Sequence, residues 1–233
     1  MYFTGVLVYL FCSALVCFKA AAQVELQSTV SGDTHKPHYK VDHFSRNDNA
    51  WRTFFHNNGF RNEYSYNFLE VGSLEGRSAV WLLENVLQHP NSKLSCVDMW
   101  NESIDDDEYN ADLMTGIYNR FLNNISPYRQ KVDVYRGKSF DALRHPQLTQ
   151  QSFDVVYVDG GHKSRNALED AILSFGLLKV GGFMIFDDYF SNMKDPHHMS
   201  SPKLGIDTFL TMYTGSVSIV NFGYQLFVIK TAE

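Results

Sequence analysis

Cysteine is scarce in this chain. It has three among 233 residues, and two of them, Cys12 and Cys17, fall in one apolar stretch near the N-terminus. Beyond that stretch Cys96 stands alone, so no intramolecular disulfide can form there. Cys96 sits in an apolar run and reads as an inert buried thiol. Positive charge is also thin. Lys and Arg number 20 against 26 Asp and Glu, a net charge of −6, and no basic stripe is visible. Binding a polyanion needs clustered cations, so a nucleic-acid partner is disfavoured. No internal repeat or low-complexity tract interrupts the chain. The apolar run Val6 to Phe18 is shorter than the roughly 17–25 residues that span a bilayer.

That run is followed by Ala20-Ala21-Ala22 and a polar turn at Gln23. The pattern is that of a signal-peptide core and its cleavage site, although Met1 to Gly5 lacks a positive side chain. Residues 1–22 are expected to be a cleaved signal directing the protein to the secretory pathway. Membrane contact is expected only if the segment stays uncleaved; a buried N-terminal helix is the alternative. Asn101-Glu102-Ser103 and Asn124-Ile125-Ser126 match the N-glycosylation sequon, a pattern common by chance.

What the chain does have is a core. Hydrophobic residues make up 44% and aromatics 15%, enough for one folded domain. Residues 23–65 read as an N-terminal arm, with Trp51, Phe54, Phe55 and Phe60 forming a flap. From Tyr66 onward strand-like and helix-like segments alternate. Strands are expected at Asn67–Val71, Leu94–Val97, Val132–Tyr135, Phe153–Val158 and Phe183–Phe186, the last after a turn at Lys179–Gly182. Helices are expected at Arg77–Leu87, Tyr109–Leu122 and Asn166–Leu178. Ser216–Val220 and Gln225–Ile229 are joined by a link short enough to require an antiparallel hairpin. Strands alternating with helices predict an α/β, doubly wound, mostly parallel sheet over residues 66–233.

Three constellations carry chemistry. Phe68-Leu-Glu-Val-Gly72-Ser-Leu-Glu-Gly76-Arg-Ser78 lies where the first strand hands over to the first helix, and its glycines permit close approach of a ligand. Asp98 closes the second strand, where an acid can accept hydrogen bonds from ribose hydroxyls. Val158-Asp159-Gly-Gly-His162 and Ile185-Phe186-Asp187-Asp188 end two further strands. Three carboxylates at neighbouring strand ends repel one another, and a hard divalent cation relieves that conflict. A neutral His162 beside it could take a proton from a hydroxyl. The plainer readings are that Asp187 or Asp188 caps the next segment and that His162 is an ordinary helix-start residue.

From Tyr66 to Lys230 the chain resembles the class I S-adenosylmethionine-dependent methyltransferases. Glu70-Val-Gly-Ser-Leu-Glu-Gly-Arg-Ser78 resembles their first motif, Val97-Asp98 their ribose-binding acid, and Gly137-Lys-Ser139 their adenine-side loop. Phe153 to His162 and Leu177 to Asp188 are similar to the small-molecule O-methyltransferase branch, which includes macrolide-sugar enzymes and, more distantly, catechol O-methyltransferase. The resemblance implies a seven-stranded Rossmann-like sheet of order 3-2-1-4-5-7-6. It implies a donor site from Glu70, Gly72, Ser73, Gly76, Ser78, Asp98, Ser139 and Asp159. It also implies Mg²⁺ or another divalent cation on Asp159, Asp187 and Asp188, and His162 as general base. The expected partner is a small hydroxylated molecule covered by Trp51–Phe60 and Ser191–Pro202; His197 and His198 lie in that second loop and read as a solvated pair, with substrate contact the alternative. Alternatives on the same scaffold are a secreted, catalytically silent binding protein and an enzyme of other chemistry. Oligomeric state, a homo-oligomer included, is left open.

Overall fold

The computed structural model describes residues 36–101, 111–191, 194–195 and 197–233. The expected signal at 1–22, the first part of the arm, the last two residues of the Asn101 sequon and the start of the helix expected from Tyr109 lie outside them. Among the described residues no helix is long and apolar enough to cross a membrane.

The chain runs α1 (Asp48–Asn57), β1 (Asn67–Val71), α2 (Arg77–Asn85), β2 (Lys93–Asp98), α3 (Ala111–Met114), α4 (Ile117–Asn124) and β3 (Val132–Arg136). It continues through α5 (Ser139–Ala142), β4 (Phe153–Val158), α6 (Ser164–Leu177), β5 (Leu178–Phe186), α7 (Pro202–Met212), β6 (Val217–Phe222) and β7 (Leu226–Lys230). The strands form one sheet of order β3-β2-β1-β4-β5-β7-β6. β1 to β5 are parallel, and β7 runs antiparallel to both β5 and β6. This is the expected fold.

Side chains alternate across the sheet because successive strand residues face opposite ways. Phe68, Val155, Tyr157, Ile185 and Phe227 pack on one face with α1, α2 and α4. Leu69, Val71, Val156, Val158, Met184 and Phe186 pack on the other with α6 and α7. Both faces are covered, which is why the central strands read as nearly unbroken apolar runs.

Three local expectations are corrected and one helix is added. The Trp51 segment is no flap: Trp51, Phe54 and Phe55 are buried in the first core cluster. The Trp51 ring meets Phe44, Phe55, Trp81 and Tyr157 edge to face at 4.8 to 5.8 Å. The single helix expected to end at Leu122 is divided. Gly116, at φ +67°, sits between α3 and α4, a left-handed conformation that breaks a helix. The turn at Lys179–Gly182 lies inside β5. Phe153 pairs with Leu178 and Val155 with Phe183, so the intervening residues bulge from a strand that continues on both sides. Finally, α7 was not anticipated. It packs against α6 so closely that a Cβ on Gly205 would lie 2.0 Å from the Ser164 carbonyl oxygen.

Candidate active site

A cleft of about 660 Å³ opens at the carboxyl ends of β1, β2, β4 and β5, where ligands of doubly wound sheets bind. Of the residues singled out from sequence, Gly72, Asp98, Ser139, Asp159, His162, Asp187 and Asp188 line it. Glu70, Ser73, Gly76 and Ser78 do not. Ser73 and Ser78 instead wall a recess of about 40 Å³ beside the cleft, with Val41, His43 and Phe44 on its other side.

The glycine turn is shaped by the protein's own packing. Gly72 has φ +87°, and a Cβ there would fall 1.8 Å from the Asp159 backbone oxygen. The Gly72 N–H donates to Val97 O, and the Asp159 N–H to Val71 O. The turn is thereby stitched to the strands on both sides. Behind it Glu70 is fully buried. Its carboxylate accepts from the Ser73 hydroxyl at 2.6 Å, the Ser78 hydroxyl at 2.5 Å and the Cys96 thiol at 3.6 Å. Burial outweighs these three donors and pushes the carboxyl up to about 7. Glu70 thus clasps the turn from behind, and the expected direct contact with a donor becomes an indirect one. Cys96 is buried as expected, and burial, with Glu70 beside it, raises its thiol.

Asp98 is largely committed to its own loop. Oδ2 accepts from the Ser73 and Leu74 N–H groups at 2.9 and 2.8 Å, and Oδ1 from the Trp100 N–H at 2.8 Å. A carboxylate offers about four acceptor positions, so these three bonds hold the loop and leave room for a ligand hydroxyl. Burial raises its carboxyl despite the backbone donors.

The second half of the cleft is acidic. Asp159, His162 and Asp188 bring a ligand atom each to within 4.8 Å of one another. His162 Nε2 is 3.1 Å from Asp188 Oδ2 and 3.9 Å from Asp159 Oδ1. Asp188 has φ +56°, a left-handed conformation that Asp tolerates better than most residues. Asp187, expected beside them, turns inward. Its Oδ1 accepts from Gln225 Nε2 at 3.1 Å and the Asp188 N–H at 3.0 Å. The Tyr157 hydroxyl lies 2.8 Å from Asp187 Oδ2 and 2.9 Å from Asp159 Oδ2. One phenol proton can serve only one of the two oxygens, so ionising both acids leaves the other carboxylate oxygen without that donor. Burial and the charge of Asp187 push Asp159 well above the usual carboxylate range, and burial with Asp188 raises Asp187. Two carboxylates and an imidazole at this spacing fit a divalent cation, whose charge would offset the repulsion between the acids.

Sequence reasoning missed the residues that reach the cleft from outside the motifs. His43 and Arg46 enter from the segment before α1, and Tyr224 from the β6–β7 link. Tyr224 donates its hydroxyl to Asp188 Oδ1. No local pattern marks these three, since each is placed by long-range packing. His197 and His198, read from sequence as a solvated pair rather than substrate contacts, are exposed and do not line the cleft. Asn124 is buried, and its side chain bonds His38 and the Glu75 carbonyl, so the second sequon is inaccessible in the folded protein.

Residues 69–189 match the model of a family described as a methyltransferase domain, and the chain belongs to that family. Its fold is that of the S-adenosylmethionine-dependent O-methyltransferases, as solved structures show. TomG from Streptomyces achromogenes is an O-methyltransferase involved in tomaymycin synthesis, solved with S-adenosylmethionine. It is 17% identical at a TM-score of 0.59, over 84% of this chain and 83% of its own. The Bacillus cereus O-methyltransferase, solved with S-adenosylhomocysteine, is 18% identical at 0.55, over 83% and 84%. MycE of the mycinamycin pathway, solved with Mg, S-adenosylhomocysteine and mycinamycin VI, is 14% identical at 0.54, over 82% of this chain and 51% of MycE. At such identities the likeness is one of fold. No curated protein sequence matches the chain.

Proposed function

We propose that this protein transfers the methyl group of S-adenosylmethionine to a hydroxyl of a small molecule, assisted by a divalent cation. The observation that carries the reading is one cleft holding two chemistries. A glycine turn braced by Asp98 stands at one end, and Asp159, His162 and Asp188 stand at the other. Gly72, Asp98 and Ser139 would hold the donor. Asp159 and Asp188 would hold the cation, with Asp187 setting Asp159 through Tyr157. A cation bound there lowers the pKa of a coordinated hydroxyl. His162 accepts the hydroxyl proton, the oxygen forms its bond to the methyl carbon, and the carbon–sulfur bond breaks with its electron pair going to sulfur. Placing the reactants in line supplies much of the rate gain.

Titration calorimetry with S-adenosylmethionine, with and without Mg²⁺, tests this. Donor binding under either condition is expected; its absence under both would overturn the reading. The 4.8 Å grouping also favours a second assignment, in which His162 is the third ligand and not the base. Residues 1–22 would act as a secretory signal, which microscopy of a C-terminally tagged chain checks.

A further inference from the structure

At the acidic end of the cleft, one cation is held beside the carboxylates without being tightly paired to them. Arg46 lines the cavity. Its guanidinium lies over the Tyr224 ring, 4.1 Å from the centroid. Its side chain is half exposed, and its ion pair with Asp188 is long, at 3.7 Å. By contrast Arg52, Arg77, Arg120 and Arg165 hold carboxylates at 2.9, 3.1, 2.6 and 3.0 Å. Two other cations line the cavity. Arg165 is spent on Glu169 and is 78% exposed, and Lys138 stands with Gly137 and Ser139 on the donor wall.

Arg46 is also held in place. It sits in a short 3-10 turn, Ser45–Asn47, directly before α1, and α1 is anchored by the buried Trp51. Tyr224, on which it stacks, is tied to Asp188. A guanidinium presents a fork of donors that matches a carboxylate bidentately.

We propose that Arg46 receives a carboxylate of the acceptor, so that the preferred substrate is a hydroxylated acid and not a neutral phenol or sugar. The binding claim stands on Arg46 itself; that the bound acid is then methylated rests on the function proposed above. An acid approaching Asp159 and Asp188 is repelled unless a cation offsets them, so binding is expected to strengthen with the cation present.

The test uses matched pairs: catechol against 3,4-dihydroxybenzoate, and glucose against glucuronate. Each is titrated into Mn²⁺-loaded protein with and without S-adenosylhomocysteine. At least tenfold tighter binding of the acid in one pair is expected. Arg46→Gln should abolish that preference and leave the neutral partner's affinity within twofold. Equal affinity within both pairs, or a preference that survives Arg46→Gln, overturns the proposal. If Arg46→Gln does not fold, Arg46→Lys decides. It keeps the charge but not the fork, so a preference reduced at least threefold supports the proposal and an unchanged one overturns it. S-adenosylmethionine is titrated separately. Its failure to bind would overturn the methyl-transfer reading while leaving the acid preference as measured.

Discussion

His162 Nε2 stands 3.1 Å from Asp188 Oδ2, on residues from the ends of two adjacent strands. A cation between them and Asp159 would depend on Asp188 directly. Asp188→Asn should weaken Mn²⁺ binding at least tenfold, a loss of about 1.4 kcal/mol, and leave the donor's dissociation constant within twofold. Calorimetry of the two ligands separately reads this.

His162→Gln separates base from ligand. As the base, its loss should lower turnover by roughly a hundredfold or more and spare Mn²⁺ affinity. A variant that loses Mn²⁺ affinity instead assigns His162 to the metal.

Glu70 gives a pH signature. Its carboxyl titrates at about 7 in the folded protein against an ordinary 4.5. Below 4.5 it is protonated in both states, and its stabilising share is fully present. As pH rises from 4.5 to 7 the unfolded chain ionises first, so stability falls, by about 3 kcal/mol at roughly 1.4 per unit. Above that window it is flat. Glu70→Gln lacks this slope. Urea unfolding at half-unit steps should show the variant gaining on the wild type across the window and not beyond it.

Two glycines with nearly the same backbone should respond differently. Gly59 has φ +80°, and a Cβ added there would meet nothing within 4 Å, whereas Gly72 has φ +87° and the Asp159 oxygen at 1.8 Å. Gly59→Ala should cost about 1–2 kcal/mol for the left-handed conformation alone. Gly72→Ala should cost about 1–3 kcal/mol more, because β1 and β4 must part. Chemical denaturation of both variants checks the difference.

Trp51→Phe removes the indole N–H that donates to Gln225 Oε1 and leaves that buried oxygen unpaired. A cost of about 1–3 kcal/mol follows from the lost partner, with more from the smaller ring. Because Gln225 also holds Asp187, Mn²⁺ affinity should fall as well. Unchanged affinity would mean Asp187 needs no such support.

The strand ends that carry the site were legible because chemistry and local pattern coincide there. An apolar run stops and acids follow, as at Val158-Asp159 and Phe186-Asp187. The sheet was legible for the same local reason. What stayed hidden depends on distance along the chain. Trp51, Phe54 and Phe55 look the same in sequence whether they cover a ligand or fill a core, and only contact with Phe227 and Tyr157 decides. Glu70 looks like a ligand residue until the hydroxyls of Ser73 and Ser78 occupy it. Arg46 and Tyr224 carry no motif, since each matters only through the other.

The Trp51–Gln225 bond joins positions 174 residues apart. Gln225 belongs to the hairpin that leaves the ribosome after every other element described. Until that hairpin docks, Asp187 lacks its amide donor, Asp188 lacks Tyr224, and Arg46 has no ring to lie on. The cleft's donor end draws on β1, β2, the Ser139 loop and the packing of β4 on Gly72, all of which precede that hairpin in the chain. Assembly of the acidic end therefore waits for the last hairpin, after Asp159, His162 and Asp188 have all been synthesised.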